Sequence, residues 1–563
     1  MNFVTRSILV LFALYGLVFV IGDAFLMHEN APVWLAGAFV LVFVVAQFTL
    51  SPRLIEWVFS IDWDQSALPA ANRQFVEELC QRRGLPPLRF GVIHSGTPNA
   101  FSFGRFRKDA RVVITDGLLD ILTVDEANAV LAHEIGHVEH YDFAVMTLAA
   151  AAPLVLYQMY VYGNRIKNLR AVAWCAYFAY IIGQFLVLTL NRTREYWADH
   201  YSAECTHAPG DLSSALVKIA YGMVKQDGEF RETLKSGSAE EKKLSARQRQ
   251  FGGAMALMGI SNLNSGMSLA LAMANPQQAA EVMRWDLVNP WARVYELSST
   301  HPLTALRVRA LNETAEQMQL PISYPLPDGP TGRKIRWGNF PLEFFLWIAP
   351  FACIAALVFQ GFLRTALAQR GIELPETVMP WLLIAIGILW ALRIAFRYRG
   401  KFREAQIQTL LEDLDVSQMT PRAVELRGEI IGNGVPGVFW SPDLVMQDQT
   451  GQMFVLYRSS IPFGRLFFAL TDAYRFIDEQ VTVRGWYRRG LRPYVELSDI
   501  RATVKKASLP SSGPISIFSQ ASLDAAAATV PEELHQRSYS RWIQLALSAV
   551  VAAVGVIWLL GAS

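Results

Sequence analysis

Residues 131–137 read Leu-Ala-His-Glu-Ile-Gly-His, which sets two imidazoles four positions apart with a carboxylate directly after the first. On a helix, side chains four apart share a face, with about 5–6 Å between their Cβ atoms. His133 and His137 can therefore hold one ion from the same side, and Glu134 projects beside them toward a water on that ion. Zinc suits such nitrogen donors, lowers the pKa of its water to about 7, and leaves a carboxylate able to take the proton. The helix is itself signalled. Thr123 and Glu126 have the spacing of a capping box, and an amphipathic run follows. On these residues alone, a solvated helix that carries H-E-x-x-H by chance stays open.

A catalytic zinc usually takes three protein ligands and keeps one position open. His140 lies three residues past His137 and rotates off the ligand face. A glycine at 140 and a histidine at 143 would complete a metzincin pattern, but the chain has His140 and Phe143. The better third ligand is Glu195, placed where an apolar run (171–190) emerges after a returning hairpin. Asp199, one turn on, is positioned to accept the second ring N–H of a ligand histidine and set its tautomer. The alternative for Glu195 and Asp199 is a solvated face paired with Arg192 and Arg194.

The elements that must position these groups are in large part apolar. Of 563 residues, 52% are hydrophobic and 18% charged, against about 25% charged in soluble domains; mean hydropathy is +0.24. Fifty-one basic and 49 acidic side chains nearly balance, which argues against nucleic acid as the main partner. The four cysteines fit no disulfide or zinc-knuckle spacing and read as free thiols, consistent with a cytosolic catalytic domain. Seven runs, roughly 7–22, 33–50, 143–162, 171–190, 341–363, 379–396 and 542–560, approach the 20 or so apolar residues of a membrane span. The first follows Arg6 but lacks a small-x-small cleavage site, so an uncleaved hairpin is expected rather than a signal peptide.

Basic flanks set the orientation. Residues 22–32 carry Asp23 and Glu29 without Lys or Arg and should face outward. Three clusters should face the cytoplasm: Arg333, Lys334 and Arg336; Arg397, Arg399, Lys401 and Arg403; Arg537 and Arg541. The 163–170 connection, with Arg165, Lys167 and Arg170, dissents from strict alternation. Residues 252–275 read as a mobile loop or lid. Strands are predicted at 424–431, 444–447, 453–457, 480–487 and 494–497, punctuated by glycines, which suggests a small barrel with an OB-like fold. No basic-aromatic stripe marks it for nucleic acid. Residues 506–535 read as a linker.

These motifs resemble the membrane metallopeptidase family that includes HtpX-type quality-control proteases and the CAAX prenyl proteases. That family carries H-E-x-x-H, two apolar helices and then E-x-x-x-D, here Glu195 and Asp199. Residues 98–104 (Pro-Asn-Ala-Phe-Ser-Phe-Gly) resemble its Asn-Ala-Phe strand, and 299–302 (Ser-Thr-His-Pro), with Arg307, its Ser-Thr-His-Pro motif. The resemblance covers roughly residues 60–315. It implies that Asn99 and Ala100 lie on an edge strand that binds an extended substrate, and that His301 and Arg307 stand near the oxyanion or substrate backbone. Read without it, Asn99 makes a turn and His301 caps a helix.

The expectation is an α-helical membrane protein with a zincin-like metallopeptidase domain, mostly α with a small sheet, and a small C-terminal OB-like β-barrel. Its predicted parts are a membrane hairpin (1–50), the zinc peptidase domain (51–335), a second hairpin (336–400), the barrel (401–510), a linker (511–540) and a last membrane helix (541–563). The resemblance implies one zinc per chain and hydrolysis of membrane or misfolded polypeptides. It also implies a multi-pass location, in a bacterial inner membrane, with the site facing the cytoplasm. A CAAX-type processing protease is the rival within the class, and a non-catalytic scaffold working through the barrel is the rival outside it.

Overall fold

The structure, a computed structural model, describes residues 33–59, 61–64, 68–96, 98–219, 276–326, 337–368, 371, 373, 375–433, 443–471, 473–490, 493–503 and 533–561. The apolar run at 7–22, the connection 22–32, the stretch 252–275, the cluster Arg333, Lys334 and Arg336, and most of the 506–535 linker lie outside the described residues. The chain divides into two compact units, Met1–Arg336 and Trp337–Ser563.

In the first unit, α1 (Val33–Val58) covers the second apolar run. After α2 (Ala70–Arg83) come β1 (Arg89–Ile93), β2 (Ala100–Phe103) and β3 (Arg111–Thr115), in the sheet order β1-β3-β2. β1 is parallel to β3 and β2 antiparallel to it, so β2 forms an edge. Strand side chains alternate between faces. Val92, Ala100, Val112 and Ile114 pack into the main core, whereas Ile93, Phe101, Phe103 and Val113 pack with Phe59 on the other side.

α3 (Val124–Glu139) lies against the first of these faces and is almost wholly buried. Its start is fixed by the expected capping box: the Glu126 amide donates to Thr123 Oγ1 (3.3 Å) and the Thr123 amide to Glu126 Oε2 (2.8 Å). α4 (Asp142–Gly163) and α5 (Arg170–Thr206) form an antiparallel hairpin. α5 does not end where its apolar run does. It continues as one 37-residue helix and packs on α3 at Gly136, where any Cβ would stand 3.0 Å from the Tyr201 ring. α6 (Pro276–Val288), α7 (Pro290–Leu297) and α8 (Thr304–Gln317) close the unit.

The second unit joins α9 (Phe340–Val358), α10 (Val378–Arg397) and α12 (Ser540–Gly561) to a barrel. α10 and α12 approach through glycine: a Cβ on Gly387 would fall 2.7 Å from the Ala552 nitrogen, and one on Gly555 2.8 Å from the Pro380 carbonyl. Such small-residue contacts are how helices associate in lipid. With α4 and α5, these make five helices among the described residues that are long and apolar enough to cross a membrane.

The barrel strands are β4 (Arg422–Asn433), β5 (Asp443–Gln447), β6 (Gln452–Leu456), β7 (Gln480–Arg489) and β8 (Pro493–Thr503). Pairings β4–β5, β5–β6, β6–β8, β8–β7 and β7–β4 close the ring, as the five predicted strands required. One expectation changes. β9 (Glu533–Arg537), inside the predicted 511–540 linker, pairs with Asp499–Thr503 of β8. β6 reaches only Tyr494–Glu496 of that strand, so β9 satisfies backbone groups that β6 leaves unpaired.

Candidate metal centre

α3 and α5 bring the predicted ligands together. Ligand atoms of His133, His137 and Glu195 all lie within 4.8 Å of one another, and all three residues are buried. His133 Nε2 is 3.6 Å from Glu195 Oε2, and His137 Nε2 is 3.7 Å from Oε1. Two ligands about 2.1 Å from a tetrahedral zinc stand roughly 3.4 Å apart, so the spacing fits a single ion. His133 Nε2 has no hydrogen-bond partner among the described residues, which is costly for a buried polar atom unless a cation joins it.

Each imidazole is held from behind by a carboxylate. His133 Nδ1 lies 3.0 Å from Asp199 Oδ1. Asp199 in turn receives Arg307 Nε at 2.8 Å and Nη2 at 2.6 Å, a bidentate pair. His137 Nδ1 lies 2.6 Å from Asp142 Oδ2, which Arg194 Nη2 approaches at 2.9 Å. Both Nε2 atoms are thereby turned toward Glu195. Glu134 is buried beside them and joins neither chain. Around the site the carboxylates of Glu134, Asp142, Glu195 and Asp199 outnumber the guanidiniums of Arg194 and Arg307, a surplus that a bound cation would offset. Burial opposes a charge on His133, but the Asp199 and Glu195 carboxylates outweigh it and raise the imidazole to about 9. The protein alone would keep a proton where a cation fits.

The other predicted residues fall as follows. His140 points away, its Nδ1 on the Gly136 carbonyl at 2.8 Å. His301 Nδ1 stands 3.2 Å from Glu195 Oε2. Arg307 is close to the site but 1% exposed, committed to Asp199 and 3.6 Å from Glu195. The guanidinium is thus enclosed against Asp199, beside the oxyanion position expected for it. Ala100 opens the edge strand β2, and Asn99 precedes it with its Oδ1 accepting from the Ala100 amide at 3.0 Å.

Three residues with site contacts escaped the sequence reading: Asp142, Arg194 and Arg192. The alternative that paired Arg192 and Arg194 with Glu195 and Asp199 is not what forms. Arg194 serves Asp142. Arg192 Nη1 donates to the carbonyls of Glu296 (2.7 Å), Leu297 (3.3 Å) and Ser299 (2.9 Å), and Asn191 Nδ2 donates to Thr300 O at 2.6 Å. Together they pin the loop that carries His301. The E-x-x-x-D helix thus holds its own ligands and the opposing loop at once.

The family model described as Peptidase family M48 matches residues 69–315, which leaves 1–68 and 316–563 outside the match. A protease HtpX homologue of Methanothermobacter thermautotrophicus is 36% identical over 216 residues, 38% of this chain and 82% of the relative. One from Aeropyrum pernix is 29% identical over 296 residues, 49% of this chain and 85% of the relative. The crystal structure of S. mikatae Ste24p superposes with a TM-score of 0.31 at 17% identity, covering 55% of this chain and 65% of that one. Identity of that order, spanning most of an HtpX homologue and accompanied by five span-length helices, places the chain in peptidase family M48, as an HtpX-like multi-pass membrane metalloprotease.

Proposed function

We propose that the metal is a single zinc ion held by His133, His137 and Glu195, and that the protein is an endopeptidase for membrane or misfolded polypeptides. The observation that carries this is the convergence of three buried ligand atoms from two helices, each histidine oriented by its own carboxylate. When bound, zinc supplies Lewis acidity to the scissile carbonyl and acidifies water. Glu134 takes the proton of the attacking water and returns it to the leaving amine. Asp199 and Asp142 fix the tautomers of His133 and His137, with Arg307 and Arg194 holding those carboxylates in place. His301 stands on the substrate side and stabilises the developing oxyanion. The free edge of β2, beginning at Ala100, pairs with an extended substrate through main-chain hydrogen bonds, and Asn99 sets the start of that edge.

The position of the site along α5 supports the substrate class. Glu195 comes five residues after Leu190, the end of the apolar run, about 8 Å along the helix axis at 1.5 Å per residue. Polypeptide segments at the membrane face are therefore the natural substrates. Basic flanks such as Arg397, Arg399 and Lys401 favour a cytoplasmic catalytic face, in a bacterial inner membrane. A zincin-like peptidase domain over 51–335 and an OB-like barrel within 401–510 complete the proposal. Its test is the Glu134→Gln variant in detergent with casein as substrate. Zinc content should match the unmodified protein while cleavage falls by a factor of at least 10²–10⁴. Full cleavage by that variant would overturn the mechanism.

A further inference from the structure

Between β6 and β7 the barrel unit carries a short helix, α11 (Gly464–Thr471). One side of it is fixed. Phe468 is buried and stacks on Tyr457, with ring centroids 4.2 Å apart. Another side is apolar and exposed to a large extent. Phe463 stands just before the helix, Leu466 and Phe467 lie in its first turn, and Ile461 precedes them. Their exposures are 74%, 40% and 66%, with 61% for Ile461. Phe463 holds a left-handed backbone at φ +60°, a conformation disfavoured for an aromatic residue. Four large apolar side chains bare within seven residues are unusual on a surface that meets only water.

The place of this patch in the unit identifies what covers it. Ser460, the residue before Ile461, has its Oγ 2.6 Å from Ser540 Oγ and accepts from Gln544 Nε2 at 3.2 Å. Ser538 Oγ donates to the Arg458 carbonyl at 2.6 Å. The segment is therefore tied to the first turn of α12, a membrane-span helix. At that turn Tyr539 and Trp542 are exposed, and the Arg541 guanidinium sits 4.6 Å from the Trp542 ring centroid. Aromatic and cationic side chains at the end of a span mark the headgroup level. Arg458 and Arg465 flank the patch with half-exposed side chains, each already paired within the barrel unit, to Glu496 at 3.7 Å and Asp443 at 3.3 Å.

We propose that α11 is an interfacial helix: Ile461, Phe463, Leu466 and Phe467 enter the boundary between headgroups and acyl chains of the leaflet on the barrel's side, pegging the barrel to the bilayer. The partner is lipid, reached by continuity with α12. The inference is independent of the metal centre.

The test uses the full-length protein in phosphatidylcholine–phosphatidylglycerol vesicles, with Cys175 and Cys353 replaced by serine. Nitroxide labels are placed singly by Phe463→Cys, Phe467→Cys and Gln449→Cys. Gln449 lies in the turn between β5 and β6, at the far end of five-residue strands, about 15 Å from the patch at 3.3 Å per residue. Collision with oxygen and with a water-soluble nickel chelate is read by electron paramagnetic resonance. Labels at 463 and 467 should meet oxygen several-fold more readily than the chelate, and the label at 449 the reverse. Chelate access at 463 and 467 equal to that at 449 overturns the proposal. Shielding of both from both reagents marks a protein contact, a second copy or another chain, and overturns it equally. Two labelled positions guard against distortion at either one.

Discussion

The Asp142 carboxylate is the sharpest test of how the metal centre is built. It lies 2.6 Å from His137 Nδ1 and within 2.9 Å of Arg194. A hydrogen bond to a charged group contributes about 1.5–3 kcal/mol, which at 1.4 kcal/mol per decade is roughly 10- to 150-fold in metal affinity. Asp142→Ala removes all of it. Asp142→Asn keeps an acceptor oxygen without the charge, and charge-assisted bonds are about twice as strong as neutral ones. About half should survive, leaving a loss of about 0.75–1.5 kcal/mol, or about 3- to 12-fold. Either change also leaves the buried Arg194 guanidinium without its anion, so stability must be separated from affinity. Zinc affinity is measured by competition with a chromophoric chelator, and metal-free melting curves show that each variant is folded at the assay temperature. The expected order of zinc affinity is unmodified protein, then asparagine, then alanine. Folded Asp142→Ala protein that binds zinc as tightly as the unmodified chain would refute the orienting role.

Two further outcomes follow from contacts away from the ligands. Arg192→Gln removes the donor shared by the Glu296, Leu297 and Ser299 carbonyls and loosens the loop bearing His301. It should lower kcat/KM by about 10- to 100-fold at unchanged zinc content; an unaltered rate would show that the loop needs no such tether. On the surface, Asp116 Oδ2 lies 2.8 Å from His94 Nδ1 and, aided by Asp62, raises that imidazole above its ordinary 6.5. The pairing therefore stabilises the fold fully below about pH 6.5 and fades as pH rises through the folded value. Titration of His94 by NMR should shift downward in Asp116→Asn, and an unmoved midpoint would discard the pairing.

Much of this was legible because it is local. The capping box at Thr123 and Glu126, the two imidazoles four apart, and Glu195 with Asp199 one turn later all depend on helical repeat within a few residues. The barrel strands were readable from local signals too, as short runs punctuated by glycines. What escaped depends on geometry that the repeat does not carry. Asp142 comes five residues after His137, across a break at Tyr141, whose left-handed φ of +57° turns the chain so that the carboxylate returns to the imidazole. Arg192 and Arg194 have long side chains whose reach covers several partners. Nothing local tells that one seeks carbonyls after α7 and the other Asp142.

The amino-acid sequence by itself determined the chemistry on offer: two nitrogen donors, a neighbouring base, a third carboxylate, apolar helices to carry them, and five alternating strands. The tertiary structure alone decided which carboxylate lies against which histidine, that Arg307 is buried and paired with Asp199, and that residues 533–537 complete a sheet. The physical reason is the range of the forces. Helix and strand periodicity act between near neighbours, whereas the pairing of buried charges and of edge-strand backbone is settled only when distant segments share a space from which water has been expelled.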